Sequence, residues 1–423
     1  MGNNPKLLIY SDCYIYGGSE RLMSFLIRNP IINTHYDITL AYRKHKIYQE
    51  NVNKEYNDRE KKEMLLPVRI LSNSTLFYRI GFKKWPHLLK KIIIITPLIL
   101  DKVGFYFFFN LISQIVTLKK VSPDIIHINN GGYPGARSCS TMVIAAKLMG
   151  CKNIIYQVNN IAHKQSSLLD QYFDKFINKN VSCFITASYQ SKIKLIKERK
   201  FNIEKIQQVP NTILEETISL SKEEIINDLS IKKTDFLLCS VGFLSKRKGQ
   251  LFLLAALHQI SLKHLNIFEA IKLLLVGDGE EEKYLKQFVK DYGLDKNVFF
   301  LGYQNKSINY ISACDLFVFP SIVDEDMPLV VLSAMSKGKT ILATDLAGIQ
   351  EEIEDGVSGI LVPPNTKTLV SDLANAIVNI YHNRNNSMGV QAQKRFYKLF
   401  SNSIYGNSIV NIYNSIFMKN KTI

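Results

Sequence analysis

Short runs rich in Val, Ile, Leu and Phe recur along this chain, each followed by a stretch of helical apolar spacing. Strands that are apolar on both faces, alternating with helices, fold as a parallel sheet with helices on either side. The alternation occurs twice. KLLIYSD, YDITLAYR, PVRILS, DIIHINN, NIIYQVNN, CFITAS and IQQVPN form a first series. DFLLCSVG, IKLLLVGDG, VFFLG, DLFVFPS, TILATD and GILVPP form a second. Residues 214–234 between them are polar and charged, as a linker with a short helix would be. The expected organisation is therefore α/β, with two Rossmann-like doubly wound domains over residues 1–213 and 235–392. A helical tail follows over 393–423. A chain of 423 residues suffices for two separate cores.

The segment from Ala313 to Pro364 is the most informative for chemistry. DLFVFPS is a buried strand, the acidic turn VDEDM follows it, and Pro328 stands in the first turn of a helix that stops at Gly338. Glu325 and Asp326 thus flank a helix N-terminus at the carboxyl end of a strand. In open α/β sheets that edge binds ligands, and free amides there suit an anion such as a diphosphate.

These residues resemble the nucleotide-sugar site of the family-4 retaining glycosyltransferases of the GT-B fold (glycosyl transferases group 1). The mark of that family is a glutamate, seven residues and a second glutamate. Glu325 matches the first, and Ser333 stands at the second, which in the family holds the ribose of the donor nucleotide. A serine offers one hydrogen bond, no charge and less reach. The resemblance implies two domains facing across a cleft that receives the donor. It covers most of the second half of the chain, and the first half mainly in strand pattern.

The turn in SVGFLSKRKGQ carries, in this family, an arginine and a lysine on the donor diphosphate. Lys248 matches the lysine, Phe243 takes the arginine's place, and Arg247 supplies a second charge beside Lys248. Cations beside helix amides stabilise the charge that grows on a departing diphosphate, so no metal and no cofactor is expected. The resemblance further implies donor contacts from Gly17 and Gly18 in YGGSERL, and from Asn159 where the family has a histidine. It adds Tyr303, next to the base, and Met327, Leu329 and Val330 at the helix start. Lys248, Arg247 and Glu325 are the candidate catalytic residues. A glycine pair alone is a weak signal, although it lets backbone approach a ligand closely. His127 reads as a structural residue at a strand end, and Ser188 as a helix cap.

The net charge of +16 suits an anionic partner such as nucleic acid, an anionic membrane or an acidic substrate, and no zinc-finger spacing or RNA-binding aromatic signature directs it to nucleic acid. Residues 83–120 are strongly apolar with lysines at both ends, and Pro97, Asp101 and Lys102 interrupt any single spanning helix. Two readings stand. One is a pair of helices lying in an anionic membrane surface, with Trp85, Tyr106 and the phenylalanines at the interface. The other is core helices with exposed lysines; the overall charge favours the first. The start MGNNPKLLIYSD lacks a signal peptide's regions, and the six cysteines form no CxxC pair. Both point to the cytoplasm, with the protein peripheral on the inner face of the membrane, and to buried free thiols.

The expected function is transfer of a sugar from a nucleotide-sugar to a saccharide acceptor, lipid-linked, in surface polysaccharide, lipopolysaccharide or O-antigen synthesis, with retention at the anomeric carbon. A nucleotide-sugar epimerase of the same fold, a non-catalytic sugar-nucleotide binding module and a charge-driven nucleic-acid binder remain open alternatives.

Overall fold

The computed structural model describes residues 4–13, 17–56, 63–73, 95, 97–165, 167–323 and 325–421. The chain divides into two compact units, Met1–Val209 with Gly406–Ile423, and Pro210–Tyr405.

The first unit is built on a seven-stranded parallel sheet of order β3-β2-β1-β4-β5-β6-β7. Its strands are β1 (Lys6–Ser11), β2 (Asp37–Arg43), β3 (Leu65–Val68), β4 (Ile125–Asn130), β5 (Ile154–Val158), β6 (Cys183–Thr186) and β7 (Ile206–Gln208). β4 and β5 are buried along their whole length, apolar at their starts and carrying buried His127, Asn129, Asn130 and Gln157 toward their carboxyl ends. The expected strand PVRILS begins two residues earlier, as LLPV. Pro67 is accommodated because β3 is an edge strand, where a missing N–H breaks no ladder. Ser188 caps the helix Tyr189–Arg199 by accepting from Ser191 N at 3.0 Å.

The expected helical tail is two helices, Ser387–Leu399 and Asn402–Lys421, and residues from Gly406 onward belong to the first unit. Gly406 lies so close to Asn29 that a Cβ would come within 2.4 Å of its side-chain oxygen. Tyr36 OH donates to Asn414 Oδ1 at 2.7 Å, and Tyr36 meets Tyr413 edge-on at 5.3 Å.

Within residues 83–120, the stretch 83–94, which includes Trp85, lies outside the described residues. The helix Phe105–Val121 buries Asn110, Gln114, Thr117 and Leu118 and leaves Phe105, Phe108, Ile112 and Val116 exposed. Its mostly polar stripe faces inward and its apolar stripe faces out. Among the described residues, no helix is long and apolar enough to cross a membrane.

The second unit holds a six-stranded parallel sheet of order β10-β9-β8-β11-β12-β13. Its strands are β8 (Phe236–Val241), β9 (Ile271–Val276), β10 (Val298–Phe300), β11 (Leu316–Phe319), β12 (Thr340–Thr344) and β13 (Ile360–Val362). Leu238, Leu273 and Val318 of the sheet pack with Leu253, Leu257 and Leu373 of the covering helices. The expected linker contributes the helix Lys222–Asp228, closed by a reciprocal capping box between Ser221 and Glu224, with Ile225 and Ile226 buried. In each sheet the strand order reverses once, between β1 and β4 and between β8 and β11. Loops leaving the carboxyl ends of those strand pairs splay apart and open a crevice for ligands.

Candidate active site

At the second sheet's reversal point, the turn after β8 and the turn after β11 are tied together. Ile322 N donates to Arg247 O at 2.8 Å, and within the segment after β8 Gln250 Nε2 donates to Phe243 O at 3.1 Å. Gly249 makes the approach feasible: its φ is +69°, and a Cβ would lie 1.9 Å from Pro320 O.

The junction aligns three candidate residues. Lys248 Nζ lies 2.6 Å from Glu325 Oε1, and Arg247 Nη1 lies 2.5 Å from the same oxygen. Glu325 is 7% exposed, and Ser321 Oγ donates to it at 3.2 Å. Thr344 of β12 donates in turn to Ser321 O. Burial pushes the Lys248 pKa below its ordinary value, and the Glu325 carboxylate opposes that push. Lys248 also lies over the Phe319 ring at 4.8 Å, a cation–π contact that fixes the end of its flexible stem. Arg247 is half-exposed, whereas Phe243, in the family's arginine position, is exposed.

The helix Leu329–Ser336 begins beside this cluster. The first amides of a helix have no intrahelical acceptor, which leaves Leu329 and Val330 N–H available to an anion. Met327 is buried, its carbonyl accepting from Asn211 Nδ2 at 2.8 Å. Ser333 Oγ donates to Leu329 O at 2.9 Å, so its proton is committed to its own helix and only its lone pairs face a ligand. Tyr303 is exposed after β10, where Gly277 N donates to Gly302 O at 2.8 Å.

Sequence reasoning missed Ser321, Thr344, Asn211 and Glu352. Ser321 directly follows FVFP and was within reach of a reading; the others come from remote segments. Glu352 is fully buried, and neither carboxylate oxygen meets a hydrogen-bond donor among the described residues. Burial, then the charges of Asp326, Glu325 and Glu351, hold its pKa well above the carboxylate range.

The first unit presents a second group of candidates at its own reversal point. Gly17 is the N-cap of the helix Gly18–Arg28, and a Cβ on either Gly17 or Gly18 would meet nothing within 4 Å. Glu20 of that helix is buried and accepts from Ser11 Oγ at 2.8 Å and Ser19 Oγ at 2.5 Å. Asn159, just past β5, donates to Asn129 Oδ1 at 2.7 Å and Asn130 O at 3.0 Å. His127 is buried in β4, and burial pushes its pKa down to about 4. Among the described residues no cluster of His, Cys, Asp and Glu is able to hold a metal ion.

Two doubly wound parallel units, each with one reversal of strand order, are the architecture of the GT-B fold. Residues 221–395 match the family described as glycosyl transferases group 1, so the second unit carries that family's domain. A galactosyltransferase of Escherichia coli, UDP-Gal:alpha-D-GlcNAc-diphosphoundecaprenol alpha-1,3-galactosyltransferase, is 28% identical over 64% of this chain and 70% of its own length. The lipopolysaccharide 1,2-N-acetylglucosaminetransferase of Salmonella typhimurium is 28% identical over 44% of this chain, and the match spans 51% of that protein. The crystal structure of Anabaena HepE in complex with UDP superposes with a TM-score of 0.73 at 19% identity, covering 97% of this chain and all of that one. That likeness shows the fold.

Proposed function

We propose that this protein transfers a sugar from a UDP-sugar to a lipid-linked saccharide, with retention of anomeric configuration and without a metal ion. The observation that carries the reading is the pairing of Lys248 and Arg247 with Glu325 at the reversal point of the second sheet. A diphosphate brought to this point competes with Glu325 for both cations. The Leu329 and Val330 amides add donors to the same oxygens. Released from its cations, Glu325 accepts from hydroxyls of the donor sugar. The bond between the anomeric carbon and the β-phosphate oxygen breaks as the acceptor oxygen bonds to that carbon, and the acceptor proton passes to the departing phosphate. Lys248 and Arg247 stabilise the charge on that leaving group.

Three observations support the donor and acceptor classes. The galactosyltransferase relative is named for a UDP-sugar and a diphosphoundecaprenol acceptor, and the HepE complex contains UDP. The net charge is +16. The outward apolar stripe of helix Phe105–Val121 ends in Lys119 and Lys120, an arrangement suited to an anionic membrane surface. Beside it, a groove of about 400 Å3 is lined by Leu66, Val68, Arg69, Phe109 and Lys120, apart from both reversal points. The protein then works peripherally at the cytoplasmic face, where nucleotide-sugars are available.

The test is transfer of radiolabel from a panel of UDP-sugars to a bacterial membrane-lipid extract, with Lys248→Ala alongside. Label in the lipid phase that disappears with the variant supports the reading. Release of free sugar alone, or interconversion of the donor without acceptor, would sink it.

A further inference from the structure

The groove beside helix Phe105–Val121 lies wholly within the first unit. One wall is the edge of the sheet, through Leu66 and Val68 of β3 and Arg69 just after it; the other is the helix, through Phe109, Val116 and Lys120. Asn110 fixes the two walls against each other, its Nδ2 donating to Leu71 O at 3.0 Å and its Oδ1 accepting from Leu71 N at 2.8 Å. From Phe109 to Lys120 the helix wall runs about 16 Å, at about 1.5 Å per residue. β2 stands between β3 and the reversal pair β1 and β4, so this groove is not the ligand crevice of the sheet.

The lining is apolar between the walls and cationic at the rim. Arg69 and Lys120 are exposed, and among the described residues neither has an acidic partner. An apolar slot with unpaired cations on both sides is complementary to an amphiphile with an anionic head. A peptide strand added to the sheet is a poor occupant, because Pro67 supplies no N–H in the middle of this edge. The volume of about 400 Å3 suits a hydrocarbon chain and is too narrow for a helix, whose diameter with side chains is about 10–12 Å. Ile112 and Val116, 64% and 60% exposed, line the groove and also belong to the outward apolar stripe with Phe105 and Phe108. The groove therefore opens along that stripe, and a lipid chain is able to pass from a bilayer into it without crossing water.

We infer that this groove holds one chain of an anionic membrane phospholipid, with the phosphate at the cationic rim formed by Arg69 and Lys120. This rests on the peripheral-membrane part of the proposed function and goes beyond it. Adsorption to a bilayer needs only the exposed stripe, whereas the groove takes single lipid molecules and selects them by the charge of the head. The bound lipid is an anchor and not the acceptor, because neither strand of the reversal pair contributes to the groove.

The test is calorimetric titration of the full-length protein with dihexanoyl phosphatidylglycerol kept below its micelle concentration, which separates single-lipid binding from adsorption to vesicles. Dihexanoyl phosphatidylcholine and inorganic phosphate are the comparisons. We expect saturable binding at a single site, with phosphatidylglycerol about tenfold tighter than phosphatidylcholine, the size of one hydrogen bond between charged groups, and no binding of phosphate alone. Ser113→Trp, which places an indole in the groove from the helix wall, should abolish binding, with circular dichroism to verify the fold. Arg69→Gln combined with Lys120→Gln should erase the preference between the two lipids and leave phosphatidylcholine binding intact. Phe105→Ser combined with Phe108→Ser, outside the groove, should weaken adsorption to vesicles and spare the single-lipid titration. No binding of the monomeric lipid, equal affinity for both lipids, or binding indifferent to Ser113→Trp would overturn the inference, and equal binding of phosphate would replace it with a free-phosphate site. A protein that fails this titration yet transfers sugar loses the groove inference alone. One that binds the lipid and transfers nothing keeps it and loses the transferase reading.

Discussion

Lys248 and Glu325 meet at 2.6 Å although they belong to turns after two different strands, β8 and β11. Those strands are neighbours only because the second sheet reverses its order between them. The pair therefore exists only in the folded sheet, and each partner neutralises a charge that the other's burial would make costly.

Lys248→Ala is expected to lower kcat by about 10²–10³-fold, the usual loss when a group stabilising transition-state charge is removed. Arg247→Ala should cost only about tenfold, since its half-exposed guanidinium is screened by water. Initial rates, with circular dichroism to verify the fold, check both. A Lys248→Ala enzyme of normal kcat would exclude that residue from the chemistry.

Ser333→Glu should tighten UDP binding by about tenfold, because a carboxylate contributes a charge-assisted hydrogen bond to the ribose where the serine now bonds its own helix. Calorimetric titration with UDP reads this directly. An unchanged or weaker affinity would mean that the ribose lies elsewhere.

Glu352→Gln should stabilise the protein, and more so as pH rises. The folded pKa is raised, so between the unfolded value of 4.5 and the folded value the native state binds the extra proton. Stability from that proton is present below pH 4.5 and is lost as pH rises through the folded pKa. Glutamine does not ionise and removes the loss. We expect Tm to rise by about 2–4 °C near pH 8, the size that ~1 kcal/mol produces in a unit of this length, and by less near pH 5. Scanning calorimetry at the two pH values decides it, and an equal shift at both would contradict the linkage.

His127 has the opposite linkage, toward acid. Its folded pKa of about 4 lies below the ordinary 6.5, so the unfolded chain binds the extra proton. The stability concerned is complete above pH 6.5 and falls as pH drops toward 4, by about 3 kcal/mol in all. His127→Gln should flatten urea-unfolding free energies over that interval. A slope unchanged by the substitution would place the acid sensitivity in other groups.

Replacing Phe108 and Ile112 together by glutamate should reduce binding to phosphatidylglycerol vesicles at least about tenfold, since two large apolar side chains leave the interface and two like charges enter it. Co-sedimentation at low salt measures it. Undiminished binding would move the contact to another surface.

The sequence by itself determined the two sheets. A strand such as LFVF is apolar throughout because helices cover both faces, and that requirement is local and legible. The turns that carry Lys248, Arg247 and Glu325 were legible as turns after strands, and the resemblance to the family-4 glycosyltransferases singled out these three residues in them. The apolar pattern misplaced β3 by two residues, because proline deters a strand reading everywhere except at an edge, and edges are set by strand order.

Strand order is what only the tertiary structure decided. It brought Lys248 to Glu325, buried Glu352 among other acids, and turned the helix Phe105–Val121 with its mostly polar stripe inward. It also set Tyr413 against His127, 286 residues apart. Local periodicity records which residues share a face, whereas hydrogen bonds between distant strands and helices depend on chain crossings that no local pattern encodes. The fold was therefore readable from the chain, and the wiring of its polar groups was not.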